Sequence, residues 1–339
     1  MRSFKKALVS FLVIILCVVT LSAIIIMPYM SSQDRETRKE LAGSLDYLVV
    51  GASLAQLGFS TEILDTKLGV NSYNLSSILM SMNGRLALLQ KELSRNPVNT
   101  VVMEISYDAL SIDYDKTFNE GDPPIIARLD TAAERLNYLS SYVKTDGWLN
   151  VYARMIVFGI SSWKDNIRGS GNNTSLYKGF SAWSANDVTL SKKDASTKHD
   201  RWPYEVENTR PENLDSLKQM IEMCKERNIR VIIVVTPWSD GFIWEHSDLD
   251  DFSSMLGNYC AENNCEYYDL NLDKERYSLY SDKSSFMDTT HLSSSGASTM
   301  TERFCSIITE ANEGKDVSHW FYDSYETMKM DSPYMVSIE

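Results

Sequence analysis

The sequence predicts an α/β fold, a mostly parallel sheet with helices on both faces, preceded by one apolar helix long enough to cross a membrane. Three observations carry this expectation. Short apolar runs alternate with amphipathic stretches, the pattern of successive βαβ units. The first run of that series stops at Gly51-Ala52-Ser53, small residues suited to a tight strand-to-helix turn. Residues 7–27, ALVSFLVIILCVVTLSAIIIM, hold no charge over 21 positions, and a helix rising about 1.5 Å per residue spans roughly 30 Å over that length.

Taken in order, residues 1–6 form a basic end with Arg2, Lys5 and Lys6. Positive charge flanking an apolar run stays on the cytoplasmic side, so the reading is a single-pass protein with everything from Pro28 outside the cell membrane. The run exceeds an ordinary signal-peptide core and no small-x-small site follows it, which favours an uncleaved anchor. Leu16 before Cys17 does not suit lipoprotein processing. Residues 28–44 are polar and read as a stalk. LDYLVV (45–50) is a buried strand, SILMSMNGRLALLQKELSR a helix broken at Pro97, and TVVMEIS (100–106) a second buried strand. The middle, about 111–210, lacks a clear period and reads as an insertion or lid. From Pro211, ENLDSLKQMIEMCKERN is an amphipathic helix and IRVIIVVTP (229–237) an apolar strand. A helix at about 249–263, a strand CEYYDL (265–270) and a helix at about 293–311 complete a domain spanning 45–312. An aromatic tail, 313–339, follows.

The 339 residues carry 33 basic and 46 acidic side chains, a net charge of −13. Nucleic acid is excluded as a partner, because binding it needs a basic surface to neutralise phosphates. Cys224, Cys260, Cys265 and Cys305 lie beyond the anchor, where disulfides are chemically permitted; buried thiols on helix faces fit Cys224 and Cys305 equally well. No metal-ligand spacing such as C-x-x-C is present, and no cofactor is expected.

Strand ends present Ser53, the stretch Glu104 to Asp108, and Asp288 with His291. A serine hydroxyl needs a neighbouring base to become a nucleophile, and the base needs a carboxylate to fix its tautomer. Of four histidines, only His291 stands just before a helix and three residues after an aspartate. That spacing on a turn lets Asp288 reach Nδ1 and leaves Nε2 facing the serine. Singly, Ser53 reads as an N-cap and the Asp288/His291 pair as a hydrogen-bonded turn. Together they read as Ser53 nucleophile, His291 base and Asp288 orienting acid.

The segment LDYLVVGASLAQLGFSTEILDTKLGVNSYNLS resembles the first block of SGNH/GDSL-type hydrolases, with Gly51-Ala52-Ser53 in place of Gly-Asp-Ser. FMDTTHLSSSGA resembles their closing Asp-x-x-His block, and RNIRVIIVVTP is similar to their penultimate core strand. The resemblance covers about 45–110 and 211–310 and is to the bacterial membrane-anchored branch. It implies a flavodoxin-like three-layer sandwich with the same three residues as triad. Two positions depart from the pattern. Where the second block has an oxyanion-hole glycine this chain has Asn74-Leu75-Ser76-Ser77, and Ile105-Ser106-Tyr107-Asp108 lacks the third block's asparagine. The expected oxyanion donors are the Ser53 N–H, Asn74 and Ser76.

By analogy, that branch implies a serine esterase or O-acyltransferase acting on acyl esters of a cell-surface glycan or teichoic-acid-like polymer beside a multi-pass membrane acyltransferase. The competing reading is an inactive scaffold or glycan-binding protein of a membrane assembly, to which the missing asparagine lends support.

Overall fold

The computed structural model describes residues 6, 9–14, 16–27, 43–112, 121–168, 176–181, 209–280 and 283–333. The stalk at 28–42 and most of the basic end lie outside the described residues. In chain order the elements are α1 (Val9–Met27), β1 (Leu45–Val50), α2 (Ser53–Gly58), α3 (Thr61–Leu68), β2 (Ser72–Asn74), α4 (Met82–Leu93) and β3 (Val98–Glu104). Then come α5 (Asp122–Arg128), α6 (Ala132–Tyr142), α7 (Trp148–Arg168), the hairpin β4 (Leu176–Tyr177) and β5 (Phe180–Ser181), and α8 (Pro211–Lys225). The chain continues with β6 (Arg230–Val235), α9 (Asp240–Glu245), α10 (Leu249–Glu262), β7 (Glu266–Asp269), α11 (Arg276–Leu279), α12 (Ser294–Asn312) and α13 (Tyr325–Met330).

Two compact units emerge. One comprises 1–39 with 117–173; the other comprises 40–116 with 174–339. The larger holds a five-stranded parallel sheet in the order β2-β1-β3-β6-β7. Leaving out the β4–β5 hairpin, that is the 2-1-3-4-5 order of doubly wound sheets, which place ligands at the carboxyl ends of strands beside the switch between β1 and β3. The α/β fold with helices on both faces is therefore present as the sequence predicts.

Strand alternation sorts the core. Tyr47 and Val49 of β1, Val102 of β3, Ile232 and Val234 of β6 and Tyr268 of β7 join one cluster with Ala297, Met300, Phe304, Ile307 and Ile308 of α12. With period 2, the intervening Leu48, Val101, Met103, Val231 and Ile233 point to the opposite face, and all are buried. Burial on both faces explains why these strands read as unbroken apolar runs. α12 packs on α2 and α3, while α4 packs on α8. Phe59, at the end of α2, meets Phe304 edge-on at 5.3 Å between ring centres. The tail is part of the larger unit: Tyr325 is buried, and its hydroxyl donates to Asp269 at 2.9 Å. Cys224, Cys260 and Cys305 are buried free thiols, and Cys265 is a half-buried one.

The smaller unit holds α1, α5, α6 and α7. α1 is long and apolar enough to cross a membrane, with mean hydropathy 3.1 over its best window. A capping box starts α6, with Thr131 and Glu134 exchanging side-chain bonds for each other's backbone N–H. Tyr138 donates to Asp122 at 2.8 Å and Arg135 to the carbonyl of Leu129, which closes the end of α5.

Phe304 is fully buried. Phe304→Ala is expected to destabilise the larger unit by about 3–5 kcal/mol, read as a lower urea midpoint, because the cavity it leaves is walled by strands that cannot collapse.

Candidate active site

Ser53 is the first residue of α2, with only Gly51 and Ala52 between it and the end of β1. The turn that carries it has no spare room. A Cβ on Gly51 would stand 2.4 Å from the Cβ of Ala55 and 2.8 Å from that of Glu104, so only glycine allows β1 to hand the chain to α2 this closely. Ala52 N–H donates to Glu104 Oε2 at 3.2 Å. Glu104 closes β3 and is fully buried, with the Arg85 guanidinium 3.6 Å away and buried too. Arg85 also donates to the carbonyls of Glu104 and Met80. Burial pushes the Glu104 carboxyl above the usual range, against the opposing pull of Arg85 and the Ala52 N–H.

His291 arrives from the far end of the chain on a loop between Phe286 and Leu292, which pair as an antiparallel bridge. Met287 N–H donates to the His291 carbonyl at 2.9 Å, and Ser239 N–H to the Thr289 carbonyl at 2.9 Å, tying this loop to the one after β6. Asp288 Oδ1 accepts from the backbone N–H of His291 at 2.7 Å and of Thr290 at 2.9 Å. Its Oδ2 lies 2.8 Å from His291 Nδ1. His291 Nε2 lies 2.8 Å from Ser53 Oγ. With Nδ1–H donating to Asp288, Nε2 is the acceptor for the serine proton.

Burial acts to raise the Asp288 carboxyl, but the His291 bond and charge and the two backbone N–H groups outweigh it and hold it down at about 2. It is therefore ionised wherever the chain is folded near neutrality and can stabilise positive charge on His291.

A pocket of about 160 Å³ opens on these groups. Ala52, Leu54, Leu79, Ile112, Trp238 and Phe242 supply its apolar wall; Ser53, Ser106, Asp108, Asp288, Thr290 and His291 its polar one. Trp238 is held from behind, its N–H donating to Asn271 Oδ1 at 2.7 Å and its carbonyl accepting from Arg276 at 3.1 Å. The arrangement can deprotonate a hydroxyl and return the proton to a leaving group, the two steps of acyl transfer.

Ser53, Asp288 and His291 are thus brought together, whereas Asn74 and Ser76 stand apart from the pocket. Both amide N–H groups of Asn74 point inward, donating to the carbonyls of Ala55 at 2.8 Å and Phe59 at 3.2 Å. Its Oδ1 accepts from the Ser76 N–H at 3.1 Å. Asn74 holds the end of α2 in place, and its amide has no proton left for an oxyanion. Leu79, which no sequence signal singles out, lines the pocket with φ +56°. A left-handed leucine costs of order 1 kcal/mol and marks a tightly constrained turn. A search for glycine in this block passes over it. Among the described residues, the backbone N–H groups of Ser53 and Leu79 donate to no protein acceptor. No cluster of metal-binding side chains occurs among the described residues.

No protein-family model matches the chain, and no curated protein matches it. Among solved structures it is similar to a Bacteroides fragilis protein provisionally assigned as an acylhydrolase, at 10% identity, covering 82% of this chain and 95% of that one with a TM-score of 0.38.

The lowered carboxyl of Asp288 fixes the sign of one pH effect. An acid whose folded pKa lies below its unfolded value of about 3.9 adds stability that is complete above that value and disappears as pH falls through the folded one. Wild type should exceed Asp288→Asn in urea midpoint by a constant margin above pH about 4, and the margin should close toward pH 2.

Proposed function

We propose that the chain is a membrane-anchored serine esterase or O-acyltransferase that works through an acyl-enzyme on Ser53. The observation that carries this reading is the path from Ser53 Oγ through the His291 ring to Asp288, with both of its hydrogen bonds 2.8 Å long and its open end in a pocket. Ser53 Oγ attacks an ester carbonyl while His291 accepts its proton. The tetrahedral oxyanion is held by the backbone N–H of Ser53 and by that of Leu79 from the left-handed turn. Collapse of the intermediate returns the proton from His291 to the departing alkoxide and leaves Ser53 acylated. Water or an acceptor hydroxyl, deprotonated by the same histidine, then takes the acyl group.

Pocket size bears on the substrate. Sites for drug-sized ligands run to about 300–1,000 Å³, so one of about 160 Å³ suits a short acyl group with the rest of the donor outside it. A chain tethered by α1 would meet its substrate at the cell surface, which favours an envelope glycan or teichoic-acid-like polymer as acceptor and a multi-pass membrane acyltransferase as partner. The second reading, a silent scaffold or glycan-binding protein, is favoured by one observation: among the described residues no side-chain amide lines the pocket, and Asn74 is turned inward.

Turnover of p-nitrophenyl acetate by the full chain in detergent separates the two. The enzyme reading expects Ser53→Ala and His291→Ala to abolish turnover and Asp288→Asn to lower kcat by about 10⁴. A folded wild type that is as inert as Ser53→Ala would favour the scaffold.

A further inference from the structure

Among the described residues the smaller unit contributes nothing to the pocket above, yet it contains α7, a long helix with two distinct faces. One face is buried, with Val151 and Met155 inside the smaller unit. A second face is not. At 100° per residue, Leu149, Tyr152, Ala153, Val157, Ile160 and Trp163 fall within an arc of about 140°, and all six are exposed. Leu149 is 73% exposed and Val157 56%. Lys164, in the last turns of the helix, falls in the same arc and is exposed, and Asn150, Arg154 and Ser161 occupy the narrow stripe between the two faces. A helix this apolar on an exposed face marks an interaction surface.

What covers that face is indicated by its neighbour. α7 lies on the last turns of α1: the Tyr152 hydroxyl donates to Ser22, and Trp163 Nε1 donates to the carbonyl of Ile24 at 3.2 Å. The backbones almost touch, since a Cβ on Gly159 would stand 2.3 Å from the Ile25 carbonyl oxygen. Small residues at such crossings let helices approach closely in membranes. Ser22 to Ile25 lie two to five residues before Met27, where the apolar run ends. At 1.5 Å per residue that is about 3–8 Å below the end of the run, close to the 5–10 Å depth of helices lying in the membrane interface. α7 carries Arg154, Lys164, Asp165 and Arg168 and does not qualify as a span, whereas α1 does. A groove of about 730 Å³ lies beside this crossing, lined by Val19, Ala23, Ile26 and Met27 of α1, by Tyr152 and Met155 of α7, and by Asp130, Arg135 and Leu139.

We propose that α7 is a second membrane element, an interfacial helix that lies along the bilayer surface against the outer end of α1, with its exposed apolar arc among lipid acyl chains. The proposal rests on α1 being a membrane anchor. The bilayer is the occupant because the face is continuous with a helix whose exposed residues are uncharged and mostly apolar. Two attachments, a span and an interfacial helix, would fix the orientation of the smaller unit on the membrane, which one helix alone does not.

The test uses the full chain reconstituted in vesicles of phosphatidylcholine and phosphatidylglycerol, with and without acyl-brominated phosphatidylcholine, a short-range quencher of tryptophan. Flotation first establishes that the chain is in the vesicles. Bromolipid should then quench wild-type emission, and Trp163→Phe, checked for an unchanged circular-dichroism spectrum, should lose part of that quenching. In Val157→Lys/Ile160→Lys, which still floats through α1, Trp163 should become accessible to aqueous acrylamide. Flotation with equal bromolipid quenching in wild type and Trp163→Phe would overturn the interfacial helix while leaving the anchor intact. A chain that does not float would overturn both. Trp163 shielded from bromolipid and acrylamide alike would show a protein on this face and also overturn the proposal.

Discussion

The bond between His291 Nε2 and Ser53 Oγ joins residues 238 positions apart in the chain, and most of the larger unit is arranged so that they can meet. One partner is fixed by β1 and the other by the loop before α12. Parallel strands in the order 2-1-3-4-5 bring both to the same edge of the sheet, where strand ends leave polar groups unspent. Packing of α12 on α2 holds the two loops at a constant separation, with the Thr301 hydroxyl donating to the Gly58 carbonyl and accepting from the Ser60 N–H. A hydrogen bond at 2.8 Å tolerates little drift, so the cluster around Phe59 and Phe304 matters to the site as well as to the fold.

Behind the serine lies a second constraint. Glu104 and Arg85 form a buried pair under the Gly51-Ala52 turn. Such a pair gives weak net stability, since desolvation offsets most of the attraction, but removing one partner leaves a buried charge at a cost of about 3–5 kcal/mol. The pair is better understood as a device for position: it gives the Ala52 N–H a fixed acceptor and so sets where α2 begins. Asn74 works from the other side, tying the end of α2 through the Ala55 and Phe59 carbonyls. Ser53 therefore stands on a short helix held at both ends.

Long apolar strands and strongly patterned helices were legible in the sequence: β1, β3, β6, β7, α8, α10 and α12 occur within a few residues of their expected bounds. β2, three residues with Ser72 and Asn74 at its ends, was not, because too short a run carries no period. α7 escaped although its apolar residues do follow the 3.6-residue period, because no start or stop signal stands out among the scattered aromatic and polar residues around it. In the site, the Asp288 and His291 spacing was legible as a hydrogen-bonded turn, and it is the fold that sets this turn against Ser53. Asn74 was expected as an oxyanion donor from its place in a block of sequence, which says nothing about where an amide points. Leu79 was invisible because a left-handed turn is normally signalled by glycine.

The central claim is that Ser53 is an activated nucleophile. Intact-mass spectrometry of the full chain after exposure to a fluorophosphonate reads this directly. The account predicts one covalent adduct, mapped to Ser53 and absent from Ser53→Ala and His291→Ala. A folded wild-type chain that takes no adduct, or takes it at another residue with His291→Ala labelled as fast, would contradict it.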